Sequence, residues 1–201
     1  LTKLIRVSNF RKTNFVIGHS RLITNGLSEN QPVKRESIYV IHNGIIVNSS
    51  EVWDSINLKP NLTIDSEVIA GIVQKVLNES QESSNKISHK DIFSSIKKYA
   101  KGTIACAIMI PKSGKLLLYS NNGSLYIGQK NKQLIFTSEK NFLEKLSCVK
   151  ISQIREKGKL INIPRILKEP ILIENKSSKS NLIPGLGSSI SQEKLLLNKK
   201  Y

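Results

Sequence analysis

Apolar residues recur along this chain in two rhythms. Phe15-Val16-Ile17 and Ile38-Tyr39-Val40-Ile41 are short apolar runs that read as buried strands. Between them, Arg21 to Glu36 holds Asn25-Gly26 and Gln31-Pro32, a turn-rich stretch long enough to be a functional loop. The second rhythm follows Asp65. Val68, Ile69, Ile72, Val73, Val76 and Leu77 form one broad stripe of an amphipathic helix. A shorter helix, capped by Ser49 or Ser50, is expected through Ile56, and another over about 89–100 with Ser88 as its cap. Polar residues 78–88 read as a solvated loop between the last two.

Beyond Gly102 the strand rhythm returns. Strands are expected at 103–110, 115–120, 125–128, 133–137, 149–154 and 158–163, with a turn at Gly114 and a short helix at 139–146. Residues 1–14 show only fragmentary alternation. Helices and strands are segregated along the chain, which fits an α+β sandwich better than repeated βαβ units. Residues 1–174 read as one domain. From Asn175 the sequence turns to Ser, Lys and Asn with Pro184-Gly185-Leu186-Gly187, so 175–201 reads as a linker or flexible tail.

Composition narrows the class. Of 201 residues, 39% are hydrophobic and 23% charged, ordinary for a soluble globular protein. No run of about 18 apolar residues occurs, so no membrane span is expected, and no signal pattern opens the chain. Cys106 and Cys148 are too few for a disulfide framework, which points to a reducing cytoplasm. No cofactor or metal motif stands out. The net charge of +16 raises nucleic acid or another anion as a partner. However, the lysines are scattered and no basic run alternates with aromatics, so a dedicated nucleic-acid surface is not expected.

The candidate chemistry centres on Ile41-His42-Asn43-Gly44-Ile45-Ile46. An Asn-Gly pair leaving a strand is a strong hairpin signal. It also offers an amide side chain and an open backbone N–H, the donors a developing oxyanion needs. Three further polar clusters stand nearby in the sequence: Gly18-His19-Ser20-Arg21, Thr24-Asn25-Gly26, and Asp65. Arg21 suits bidentate capture of a carboxylate, or else a surface ion pair. Asp65 suits an ammonium group, or else a helix cap. His19 and His42 also fit as structural histidines. Taken together, an Arg and an Asp flanking an oxyanion pair would hold an α-amino acid by both ends.

Gly18-His19-Ser20-Arg21, Thr24-Asn25-Gly26, Gln31-Pro32, His42-Asn43-Gly44-Ile45-Ile46 and Asp65-Ser66-Glu67-Val68, in this order, resemble the class II glutamine amidotransferases. The similarity runs over roughly residues 15–163 and is greatest to the glutaminase domains of the glucosamine-6-phosphate synthases. It implies a four-layer αββα sandwich of antiparallel sheets, the N-terminal-nucleophile hydrolase architecture. Carried over by position, it assigns Arg21 and Thr24 to the α-carboxylate of L-glutamine and Asp65 to its α-ammonium group. Asn43 and Gly44 would form the oxyanion hole. It further implies a thioester mechanism on an amino-terminal cysteine, with ammonia passed to an acceptor domain or chain, and allows a homo-oligomer. No Cys precedes Gly18, so the sandwich is expected to be incomplete at its amino terminus and the chain inactive alone. Leu22 and Asn25 stand where the hexosamine enzymes carry Trp and His. Two readings remain: the glutaminase half of an amidotransferase, or a catalytically dead glutamine-binding or scaffold module.

Overall fold

The computed structural model describes residues 13–23, 29–82, 88–165, 171–175 and 190–199. Its centre is an antiparallel five-stranded sheet in the order β2 (Val33–Arg35), β3 (Ile38–Ile46), β4 (Gly102–Ile110), β5 (Lys115–Ser120) and β9 (Lys159–Asn162). Strand alternation gives this sheet two apolar faces. Ile38, Val40, Ile104, Cys106, Ile108 and Leu117 belong to one core cluster. Tyr39, Ala105, Ala107, Met109, Leu116 and Leu118 belong to the other.

The first face is covered by α1 (Ser49–Ile56), α2 (Glu67–Glu82) and α3 (His89–Tyr99), which contribute Val52, Trp53, Ile69, Ile72, Phe93 and Ile96. The second face meets Ile17 of β1 (Thr13–Ile23) and Ile127 of β6 (Tyr126–Lys130). β6 is the middle strand of a sheet with β7 (Gln133–Thr137) and β8 (Val149–Gln153). Behind it lies α4 (Lys140–Lys145), whose fully buried Leu143 packs near Gly128. The layers run helix, sheet, sheet, helix, as the resemblance implies.

Local chemistry explains most boundaries. Ser88 caps α3 as expected, accepting from the Lys90 N–H while Asp91 accepts from the Ser88 N–H. Asn131 and Lys132, both at positive φ, close the β6–β7 hairpin in the left-handed form that matches strand twist.

Several boundaries differ from expectation. β1 extends from Thr13 to Ile23, so Arg21 lies within a strand and not in the turn-rich stretch expected from Arg21 to Glu36. Val33–Arg35 forms β2 inside the turn-rich loop because its Val and Arg side chains are buried against the core. At α1 the cap position is Asn48, not Ser49 or Ser50, and its side chain does not cap the helix. It donates instead to the Tyr99 carbonyl and accepts from the Lys101 N–H, tying the end of β3 to the α3–β4 junction. The helix α2 continues to Glu82, through part of the expected loop, helped by a Lys75–Glu79 pair on its outer face. Within 175–201, residues Ile190–Lys199 form β11, paired antiparallel with β1 and with β10 (Ile171–Asn175). Its run Leu195-Leu196-Leu197 suits a strand better than a solvated tail. Among the described residues no helix is long and apolar enough to cross a membrane.

Candidate active site

β3 does not turn at Asn43-Gly44. It stays extended to Ile46, with Asn43 opposite Ala105 and Gly44 opposite Ile104 on β4. The hairpin reading of this pair therefore fails. Gly44 has φ +145, and a Cβ there would lie 2.0 Å from the Thr103 carbonyl oxygen. Only glycine fits so close an approach in that conformation. On β4, Gly102 mirrors it at φ +127, where a Cβ would lie 2.0 Å from the Ile45 carbonyl oxygen.

Asn43 lines a cleft of about 510 Å³ where three sheets meet, together with Gly18, His19 and Ser20 of β1 and Thr137 and Ser138 at the end of β7. Thus the Gly18-His19-Ser20 cluster and the Asn-Gly strand, distant in sequence, meet in one concavity. Cys106 also lines it, but burial pushes its thiol up to about 12, so it stays protonated near neutral pH. Arg21 follows Ser20 in β1, opposite Gln192; its side chain, like all of Thr24, lies outside the described residues. Gly44 and Asp65 do not line this cleft.

Asp65 instead meets β3 further on, where Oδ2 accepts the Ile46 N–H at 2.9 Å. It is not a side-chain cap of α2. Oδ1 lies 3.5 Å from the Ser66 hydroxyl, so the half-buried carboxylate keeps acceptor capacity for a further donor. The same hydroxyl lies 3.4 Å from Nδ1 of His42, whose Nε2 lies 3.1 Å from the Thr103 carbonyl. A carbonyl can only accept, so Nε2 carries the proton and Nδ1 is left as an acceptor facing the Ser66 hydroxyl. Burial lowers the His42 pKa; the Thr103 bond and the nearby Asp65 charge oppose this less strongly. His42 is therefore a neutral, structural histidine that links β4, β3 and the Asp65 loop.

Four residues that sequence reasoning gave no role support this frame. Gln31, 4% exposed, accepts the His42 N–H and donates to the His42 carbonyl. Ser66 stands within reach of both His42 and Asp65, with one hydroxyl proton to offer. Glu67, fully buried, accepts from the Asn61 and Leu62 N–H groups and pairs with Arg35 at 2.7 Å. Arg35 also donates to Gln74 and stacks over Trp53. The motifs Asp65-Ser66-Glu67 and Gln31-Pro32 contained three of the four without giving them a role; Arg35 sat in the turn-rich stretch outside any motif. Among the described residues no group of His, Cys, Asp and Glu is arranged to hold a metal ion.

Solved structures similar to this chain include three amidotransferases or purine enzymes. One is a glutamine phosphoribosylpyrophosphate amidotransferase from B. subtilis, solved with ADP and GMP (TM-score 0.49, 18% identity, 66% of this chain and 31% of that one). Another is an allosteric regulatory enzyme of purine biosynthesis (TM-score 0.49, 17% identity, 66% of this chain and 30% of that one). The third is a predicted glutamine amidotransferase from Pseudomonas aeruginosa (TM-score 0.46, 14% identity, 72% of this chain and 66% of that one). The chain thus spans about a third of the length of the first two. Comparison with curated protein sequences finds no match. A family model for the glutamine amidotransferase domain, in contrast, matches residues 19–145, well over half the chain and nearly all of the frame just described. By that match the chain belongs to the glutamine amidotransferase domain family.

Proposed function

We propose that the full-length protein releases ammonia from L-glutamine through a γ-glutamyl thioester and passes it to an acceptor. The observation that carries this reading is the Asn43-Gly44 strand, held extended, with Asn43 lining one cleft beside His19 and Ser20 within the family-matched residues. In the proposed reaction a thiolate attacks the side-chain carboxamide carbon. The resulting oxyanion is met by the Asn43 side-chain amide and the Gly44 N–H, donors carried on a strand whose main chain is already held by its pairing with β4. The C–N bond then breaks, the nitrogen leaves as ammonia with one added proton, and water hydrolyses the thioester to glutamate. A cysteine at the mature amino terminus of the full-length protein supplies the thiolate, its own α-amino group taking the thiol proton. Cys106 is unsuited to that part, being buried as a neutral thiol.

Arg21, next along β1 from the cleft residue Ser20, takes the α-carboxylate with Thr24, and Asp65 takes the α-ammonium group. The acceptor in this reading is a sugar phosphate of amino-sugar synthesis, bound by another domain or chain. The test is steady-state ammonia release by the full-length protein. Arg21→Lys replaces a bidentate fork by a point charge and should raise the KM for glutamine about 10- to 100-fold. Unchanged kinetics would remove Arg21 from the site. A wild-type protein that binds glutamine but releases no ammonia would instead be the non-catalytic glutamine-binding module. Glutamine-dependent amination of sugar phosphates tests the acceptor separately.

A further inference from the structure

Residues 29–31 lie between the two parts of the candidate site and hold on to both. Glu29 accepts three hydrogen bonds through Oε2: from the Thr63 N–H at 2.7 Å, the Thr63 hydroxyl at 2.7 Å and the Ile64 N–H at 2.8 Å. Thr63 and Ile64 immediately precede Asp65. Two residues on, Gln31 accepts the His42 N–H at 2.5 Å and donates to the His42 carbonyl at 3.0 Å. His42 immediately precedes Asn43. Pairing of β2 with β3 ends at Val33–Val40, so at His42 a side chain makes the two bonds a neighbouring strand would make. A primary amide can do this because it carries a donor and an acceptor side by side.

We propose that Glu29 and Gln31 are positioning residues, a strap that fixes the Asp65 ammonium clamp relative to the Asn43-Gly44 oxyanion pair. The inference rests on the glutaminase reading above. Each strap residue grips the residues directly before a substrate-binding one, so little slack separates grip from ligand. The two grips should nevertheless act on different stages of the reaction. Asp65 contacts the substrate throughout, so loosening its loop weakens binding of substrate and transition state alike. The oxyanion pair is engaged chiefly in the transition state, so loosening β3 at His42 slows turnover.

The experiment is steady-state ammonia release from L-glutamine by the full-length protein, with thermal melting of each variant beside it. Gln31→Leu removes both bonds to His42 at similar volume and should lower kcat about 10- to 100-fold with KM within about twofold, since small misplacements are costly in turnover. Glu29→Ala should raise KM about 10-fold with a smaller change in kcat, and Glu29→Gln, which keeps an acceptor oxygen, should recover part of the loss. If Gln31→Leu does not fold, Gln31→Glu keeps the acceptor for the His42 N–H and should show the same kcat-selective loss. With an active wild type, unchanged constants, or losses of activity that only follow the folded fraction, overturn the strap and leave the glutaminase reading standing. A wild type that neither binds nor hydrolyses glutamine overturns that reading, and the strap with it.

Discussion

His42 sits under the strand that carries the candidate oxyanion pair, 3% exposed, with each ring nitrogen facing a partner. Because burial lowers its pKa below the ordinary 6.5, there is a pH window in which the unfolded chain holds a proton that the native imidazole does not. Its contribution to stability is therefore complete above about pH 6.5 and is lost as pH falls through that window, with a slope of at most about 1.4 kcal/mol per pH unit. Urea unfolding at a series of pH values should show this slope, and His42→Gln should flatten it whatever that substitution does to stability at pH 8. The sequence offered His42 as a structural histidine and Asn43 as an oxyanion donor, but not the contacts that hold them. Asn-Gly is a turn signal because it tolerates positive φ; here that tolerance serves a close strand-to-strand approach instead, which only the pairing with β4 reveals. Gln31 stood in a quoted motif, but its partner His42 was hidden for the same reason. A glutamine in a turn-rich stretch looks solvated until its partner strand is known.

At the scale of elements, the link between β2 and α2 is a buried charge pair. Glu67 is fully buried, and besides Arg35 it receives two backbone N–H groups of the loop that leads to Asp65. Glu67→Ala would strand the buried guanidinium and free that loop, so it should cost about 3–5 kcal/mol in urea unfolding. Glu67→Gln keeps an acceptor and should cost less. The helices and central strands were legible because their apolar periods are local. Capping was legible where it is also local, as at Ser88. Asn48 escaped because its partners, Tyr99 and Lys101, lie across the fold. The last turns of α2 escaped because residues 78–82 carry no apolar stripe, and β2 because three residues are too few to show a period.

The whole molecule is a layered sandwich with a formal charge of +16. Self-repulsion at that charge opposes compactness, and it is screened as the Debye length shortens from about 30 Å at 0.01 M salt to about 8 Å at 0.15 M. The melting temperature of the 201-residue chain should therefore rise by several degrees over that range of sodium chloride; a flat or falling trend would show that local ion pairs outweigh the net charge. The sandwich itself was legible from the segregation of helices and strands together with ordered motifs. The pairing of β1 with β11, which joins opposite ends of the chain, was not, because nothing local specifies a partner so remote.

Gly44 and Gly102 face each other's strands in a reciprocal arrangement, each needing its neighbour's main chain where a side chain would otherwise be. The obstacle in both cases is a carbonyl group that every amino acid carries. No second-site substitution can therefore make room for a side chain at either position, as a smaller neighbour can in a core. In a mutational landscape these two sites are dead ends, while Ile45 and Val47, both more than half exposed, stand open to drift. The strand that carries Asn43 is thus held against β4 at two points by residues that have no side chain to vary.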